Sequence, residues 1–426
     1  MHELSQMIKD DMKPALGVTE PGAIAFAVAK ARSFTKGDIK KVNVAMNSGM
    51  YKNAFTCGIP NSNEVGNVFA AALGVVAGNA DKGLESLADV TPEDNVKAQE
   101  MIDQGKVTVE LSGITSRIFI EATVETEEDK AIVTIRDSHT NITKITVNDK
   151  VELETEDEKK TEEDGGEEEA HSIHKYTLQQ LYDYVTTVDI EEIRFINEAY
   201  KVNLELFHEG LENPRTTFAR QLLAINNGKE VSDDEQKTAS LMCNAAIEAR
   251  VIGLDKPAMS ITGSGAHGII ATMPLYAAYK VNGYTEEQLL RATALSYLVC
   301  MYIKEYSGRL SAFCGCAIAA GSGMACALVY LRGGTVEMMA HTLNNMASSI
   351  TGMICDGGNQ GCTMKGVAAV DAAYKSVEFA MNGIYISEVH GINGNTPEET
   401  MRNMGLIASP GMVGTEKTIV EIFEDK

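Results

Sequence analysis

Apolar positions along the chain fall into two regimes. Residues 22–34 (GAIAFAVAKARSF) read as a helix, and Thr19, Glu20 and Pro21 ahead of it supply helix-start signals. Residues 39–46 (IKKVNVAM) alternate with the two-residue period of a strand, and residues 65–77 return to a helix rich in small side chains. Strand-like runs follow at 106–111, 117–126, 131–137 and 142–147, with Glu127, Glu128 and Asp129 marking a hairpin between two of them. From about residue 177 to residue 373 the pattern is helical, with glycine-rich connections and little strand signal. Residues 289–306 and 336–346 are the clearest helices there. The remainder is mixed, with a glycine-rich tract at 390–395, and no internal repeat is visible.

The expected fold class is therefore α+β, a mixed α/β unit with a strand-rich section joined to a mainly helical unit. Residues 1–35 form a helical segment packed on the core, and 36–170 the α/β unit, with an acidic loop at 151–170. Residues 171–375 form the helical unit and 376–426 a mixed C-terminal segment. A chain of 426 residues exceeds one simple core, which favours two domains or three.

Composition narrows the functional classes. Trp is absent and aromatics reach only 6%, so the core must rest on Ala, Val, Ile, Leu and Met. A net charge of −23 argues against binding nucleic acid, whose phosphates need Lys and Arg. From Val151 to Ala170 eleven acidic residues face two lysines, a run that reads as a solvated loop. The N-terminus has no continuous apolar stretch of the secretory kind, which points to a cytoplasmic protein. Residues 312–331 carry no charge, yet they are mostly Ala, Gly, Cys and Ser, unlike a membrane span. They read as a buried central helix whose small residues admit close neighbours.

Eight cysteines without an export signal suggest thiols or metal ligands rather than disulfides. Cys57 and Cys243 stand alone, while Cys300, Cys314, Cys316, Cys326, Cys355 and Cys362 crowd together. The run CDGGNQGC, Cys355 to Cys362, places two thiols around three glycines. Iron–sulfur clusters need thiolates with backbone close to the sulfides, which glycine permits. Spacing alone leaves two readings open: cluster ligands, or a glycine loop with two buried thiols. Structural zinc fits less well, because it takes four Cys or His ligands in closely spaced pairs.

With these residues in place, the chain resembles the L-cysteine desulfidase family, itself related to the alpha portion of iron–sulfur L-serine dehydratases. The run SGRLSAFCGCAIAAGSGMACA (307–327) followed by MICDGGNQGC carries the likeness. LGVTEPGAIA, MYKNAFTCGIP, RDSHTNI, TGSGAHG and the closing PGMVGTEKTI match further blocks in order. The resemblance implies a [4Fe–4S] cluster on three cysteines with one open iron. Cys355 and Cys362 take two ligand positions, and the third falls in the C-G-C pair, Cys314 in preference to Cys316. It also implies elimination of sulfide or water from a small amino acid of the L-cysteine or L-serine type, giving a 2-oxo acid and ammonia.

Other residues fit such a site. Thr19 and Glu20 sit at a helix start that favours a substrate carboxylate, or they are a capping motif. Lys52 and Asn53 suit a carboxylate or amine, as does Arg309 before the cysteines, unless these are surface residues. Ser264 lies in a turn whose amides can cradle an anion. His139 either orients substrate or satisfies a turn. Two positions depart from the desulfidases: Val18 stands where they carry cysteine in GCTEP, and Ala266 and His267 replace the Asn-Gln of GSGNQG. His267, with an unperturbed pKa of about 6.5, is the expected catalytic base or else a hydrogen-bonding group. The expected partners are a small amino-acid substrate and a second copy of the chain in a homodimer, with no nucleic acid and no membrane. The alternative is a non-catalytic descendant that keeps the fold to bind or sense a small ligand.

Overall fold

A computed structural model gives the fold for residues 1–115, 117–155, 173–308 and 311–426. Arg309 and the greater part of the expected acidic loop, 156–170, lie outside the described residues. The chain is α+β, as its pattern predicts. A six-stranded sheet combines β2 (Ile39–Asn47), β3 (Val107–Gly113), β4 (Phe119–Thr126), β5 (Lys130–Arg136), β6 (Ile142–Val147) and β7 (Lys150–Glu154) in the order β3-β2-β4-β5-β6-β7. Only β2 and β3 run parallel; the other neighbours are antiparallel. A second, two-stranded sheet pairs β1 (Lys13–Leu16) with β8 (Pro257–Ser260).

Alternation sets the register of the large sheet. Val42, Val44 and Met46 on β2 lie opposite Val124, Ala122 and Ile120 on β4, which in turn face Ala131, Val133 and Ile135 on β5. All nine are buried. Burying a Val, Ile or Met side chain is worth about 1.5–3 kcal/mol, and a one-residue slip would turn the whole set to solvent. Helices Thr19–Arg32 and Asn67–Ala77 pack against each other and cover the sheet. The first of them is buried on every side, which explains why its apolar residues show no stripe.

In the C-terminal half, helix Glu235–Val251 is buried from Thr238 to Val251 and packs against helices Asn197–Glu212, Gly265–Asn282 and Gly361–Met381. Helix Glu286–Ser307 lies beside Gly321–Leu331 so closely that a methyl group at Gly323 would come within 2.2 Å of the Ser296 carbonyl. Among the described residues no helix is long and apolar enough to cross a membrane.

Four expectations need correction. The stretch 312–331 is buried apart from the half-exposed Cys316 and Tyr330, but it is not one helix. Phe313 bridges Ile354 in extended form, a π-helical turn spans Cys316–Ala320, and the α-helix proper is Gly321–Leu331. The acidic stretch begins inside β7, whose residues are all exposed, so an edge strand precedes the loop. The helix read from residue 65 starts at Asn67, because Gly66 takes φ +94°. The helical region also contains β8, whose Pro257 and brevity hid it from a period-two search.

Candidate functional site

The two short strands deliver two helix starts to one place. From β1 the chain turns through Gly17, at φ +65°, into helix Thr19–Arg32. Its N-cap is Val18, which has no side-chain acceptor, so the first turn keeps open N–H donors. Thr19 is thus the first helical residue rather than the cap. From β8 the chain passes Thr262 and Gly263, both left-handed (φ +51° and +76°), into helix Gly265–Asn282. Its N-cap residue Ser264 likewise makes no side-chain capping bond.

Thr19, Glu20, Asn53, His139, Ser264 and His267 all line one cavity of about 90 Å³, together with Arg250, Lys304, Ser311, Cys316, Cys355 and Cys362. One water needs roughly 10–15 Å³ of such space and drug-sized pockets begin at about 300 Å³, so the cavity is small. A wider groove of about 640 Å³ at Asn61, Glu64, Arg215 and Asp255 has neither cysteine nor histidine on its walls.

Backbone bonds bring the cysteine segments together. The Cys314 amide donates to the Met353 carbonyl at 3.0 Å, and the Cys355 amide to Ala312 at 2.6 Å. The CDGGNQGC loop then hooks onto residues 52–53: the Gly358 amide donates to the Asn53 carbonyl at 3.1 Å. Gly357 takes φ +98° there, and a methyl group on it would come within 2.3 Å of the Lys52 carbonyl. Cys316, Cys355 and Cys362 face the cavity; Cys314 is buried behind them. Contact with Cys316, and then burial, push the Cys314 thiol well up, while burial raises Cys355 and takes Cys362 up to about 11. Without metal these thiols stay protonated, so loading iron must expel protons.

Among the described residues no three His, Cys, Asp or Glu side chains converge on a single-ion site. A four-iron cluster takes each thiolate on a different iron and so needs them spread apart. Three thiols around one cavity, with the close-packed backbone of Gly315, Gly357 and Gly358 beside them, fit that group.

The charged walls are distinct. Burial opposes ionisation of Glu20, but the His139 imidazole and an Asn53 amide bond of 2.9 Å outweigh it, and the carboxyl falls to about 2. His139 Nε2, at the β5–β6 hairpin, lies 3.8 Å from Glu20 and makes no hydrogen bond. The Lys304 ammonium donates to the Gly308 carbonyl at 2.8 Å, and burial lowers its pKa while neighbouring cysteines oppose the shift.

His267 departs from the value near 6.5 expected for a shuttle. Burial, then the charges of Lys304 and Arg250, drive its pKa well down, so the ring is neutral at neutral pH. The Thr262 hydroxyl donates to the Ile261 carbonyl at 2.7 Å and also contacts His267 Nδ1. In the tautomer with hydrogen on Nδ1 the hydroxyl accepts from Nδ1–H, and the Nε2 lone pair is open. Nε2 packs against Gly315 of the cysteine segment, where a methyl group would come within 2.8 Å.

Lys52 is held elsewhere. Its ammonium donates to Glu416 at 2.7 Å and to the Ser311 carbonyl at 3.0 Å, and it does not line the cavity. Arg309 lies outside the described residues. Sequence reasoning passed over Arg250, Lys304, Thr262 and Ser311. Their sequence setting did not mark them: the helix of Arg250 also carries Lys237 and Glu248, and Glu305 follows Lys304, so only the burial of 238–251 and 292–304 sets the two cations apart.

The family described as serine dehydratase alpha chain matches residues 81–421. A UPF0597 protein of Clostridium botulinum is 40% identical over 98% of this chain and 97% of its own. One of Caldanaerobacter subterraneus is 37% identical over 99% and 98%, and one of Bacteroides fragilis 33% over 100% and 98%.

Proposed function

Since the chain belongs to the serine dehydratase alpha chain family, we propose that it is a [4Fe–4S]-dependent lyase eliminating sulfide or water from an L-cysteine- or L-serine-type amino acid. The observation that carries this reading is the convergence of Cys316, Cys355, Cys362, Glu20 and His267 on one small cavity. Bound on Cys355, Cys362 and a thiol of the C-G-C pair, the cluster would supply a Lewis-acidic iron for the leaving group.

The protein's own groups do the rest. Ionised Glu20, with Asn53, holds the substrate ammonium. His267 Nε2 accepts the α-proton, and Thr262 fixes the ring in the tautomer that leaves this nitrogen free. The Cα–H electron pair becomes the Cα–Cβ double bond as the Cβ–S or Cβ–O bond breaks. The leaving group takes up a proton and departs as hydrogen sulfide or water. The enamine then hydrolyses to a 2-oxo acid and ammonia.

Anaerobically purified protein should carry about four irons and four sulfides per chain and release 2-oxo acid and ammonia from one of these amino acids. His267→Asn should lower kcat about a hundredfold with iron content unchanged. Turnover by air-exposed, iron-free protein would refute the reading. One observation favours the second reading, a ligand-binding descendant without turnover: Val18, on the cavity wall, can neither ligate iron nor carry a proton. That reading is decided by cluster-loaded protein that binds amino acids and converts none.

A further inference from the structure

Buried polar side-chain atoms almost always find a partner, and those that do not call for a ligand. Eleven such atoms lack one among the described residues, and three of them, Arg250 Nε, Ser311 Oγ and His139 Nε2, line the cysteine cavity. Arg250 matters most. It is 5% exposed, its Nε has no hydrogen-bond partner, and the opposite charge it acts on is Glu20 across the cavity. A guanidinium cannot shed its charge, and a buried unpaired cation is costly. Its placement is built: Gly265 opens the neighbouring helix, and a methyl group there would come within 2.6 Å of Nε. The wall also carries a permanent opposite charge, the ionised Glu20.

We propose that Arg250 is the carboxylate-binding residue of this cavity, so that Arg250 and Glu20 together select an α-amino acid zwitterion. Planar N–H donors meet a carboxylate side by side. The open first-turn amides of helix Gly265–Asn282 add donors of the same sign. Ser311 Oγ supplies one further hydrogen bond. The inference deepens the lyase reading and rests on its choice of cavity.

The test uses anaerobically reconstituted full-length protein and three unreactive probes: L-alanine, L-alaninamide, which lacks the carboxylate, and propionate, which lacks the ammonium. Wild type should bind L-alanine at least about tenfold more tightly than either analogue, a difference of about 1.4 kcal/mol. Arg250→Gln should reduce L-alanine to the level of L-alaninamide and leave the amide unchanged; Arg250→Lys should fall between. Iron content should not move. Equal losses for alanine and its amide, or no alanine binding by wild type at millimolar concentration, overturn the proposal. Parallel turnover assays separate the two ideas. Undiminished kcat/KM in Arg250→Gln sinks the subsite alone, and Arg250-dependent alanine binding without turnover sinks the lyase alone.

Discussion

Breaking the buried ion pair of Lys52 and Glu416 should cost stability and leave substrate binding alone, although the type of Lys52 and its place in a shared block suggested substrate binding. The structure gives it another task. Its ammonium sits 2.7 Å from Glu416, with side-chain exposures of 0% and 7%, and a second bond of 3.0 Å reaches the Ser311 carbonyl. Glu416 belongs to the C-terminal helix Val413–Glu424, so the pair ties that helix to Ser48–Ala54, on which the CDGGNQGC loop leans.

Removing one member of such a buried pair costs about 3–5 kcal/mol, since the survivor keeps an uncompensated charge. Each kcal/mol moves the melting temperature by roughly 2 °C in a chain of this size. Glu416→Gln, which preserves shape, should therefore melt roughly 5–10 °C lower in calorimetry. The double variant Lys52→Met/Glu416→Leu should recover a substantial part of the loss, as neutral side chains of similar volume leave no orphaned charge. KM should be nearly unchanged in Glu416→Gln, because neither side chain lines the cavity. If Glu416→Gln is as stable as wild type, or Lys52→Met raises KM at an unaltered melting temperature, Lys52 is a substrate ligand after all.

Two other outcomes follow from the site. Cys355→Ser and Cys362→Ser should abolish iron binding; Cys316→Ser should do so too, with Cys314→Ser retaining iron, since Cys316 faces the cavity. The reverse pattern in the last two, read by iron analysis and visible absorption, would return the third position to Cys314. Glu20 falls from 4.5 unfolded to about 2 folded, so its stabilisation, on the order of 3 kcal/mol, is complete above pH 4.5 and lost as pH drops toward 2. Glu20→Gln should flatten that acid limb in denaturant titrations, and an unchanged limb would show that the carboxylate is not held down.

The sheet was legible because its strands are half-buried. Alternation in β4, with Ile120, Ala122 and Val124 inward, is written directly into the sequence. β8 escaped because four residues, one of them Pro257, give alternation too little length to register. Its partner β1 escaped for the same reason, and with it went the pairing that sets the helix start at Thr19 near the one at Gly265. The uncharged run 312–331 misled in a different way. Absence of charge reports burial, and burial does not distinguish a helix from the extended bridge between Phe313 and Ile354.

The site divides along the same line. Cysteines are rare enough that crowding is informative before any fold is known, and glycine between them indicates close backbone. Arg250 and Lys304 gave no such signal, since a basic residue near a helix end ordinarily reaches solvent. What sets them apart is that their helices are buried on every side, a property of packing among elements distant in sequence. His267 shows the converse. Its residue type suggested a proton carrier at neutral pH, but burial first, and then the two cations that sequence reasoning passed over, lower its pKa and keep the ring neutral. A neutral ring is the form that can accept a proton, so the shift suits His267 to the acceptor role proposed for it. An anion bound beside Arg250 and Lys304 would offset the part of the shift that their charges cause and raise the basicity of His267, while the larger contribution of burial remains.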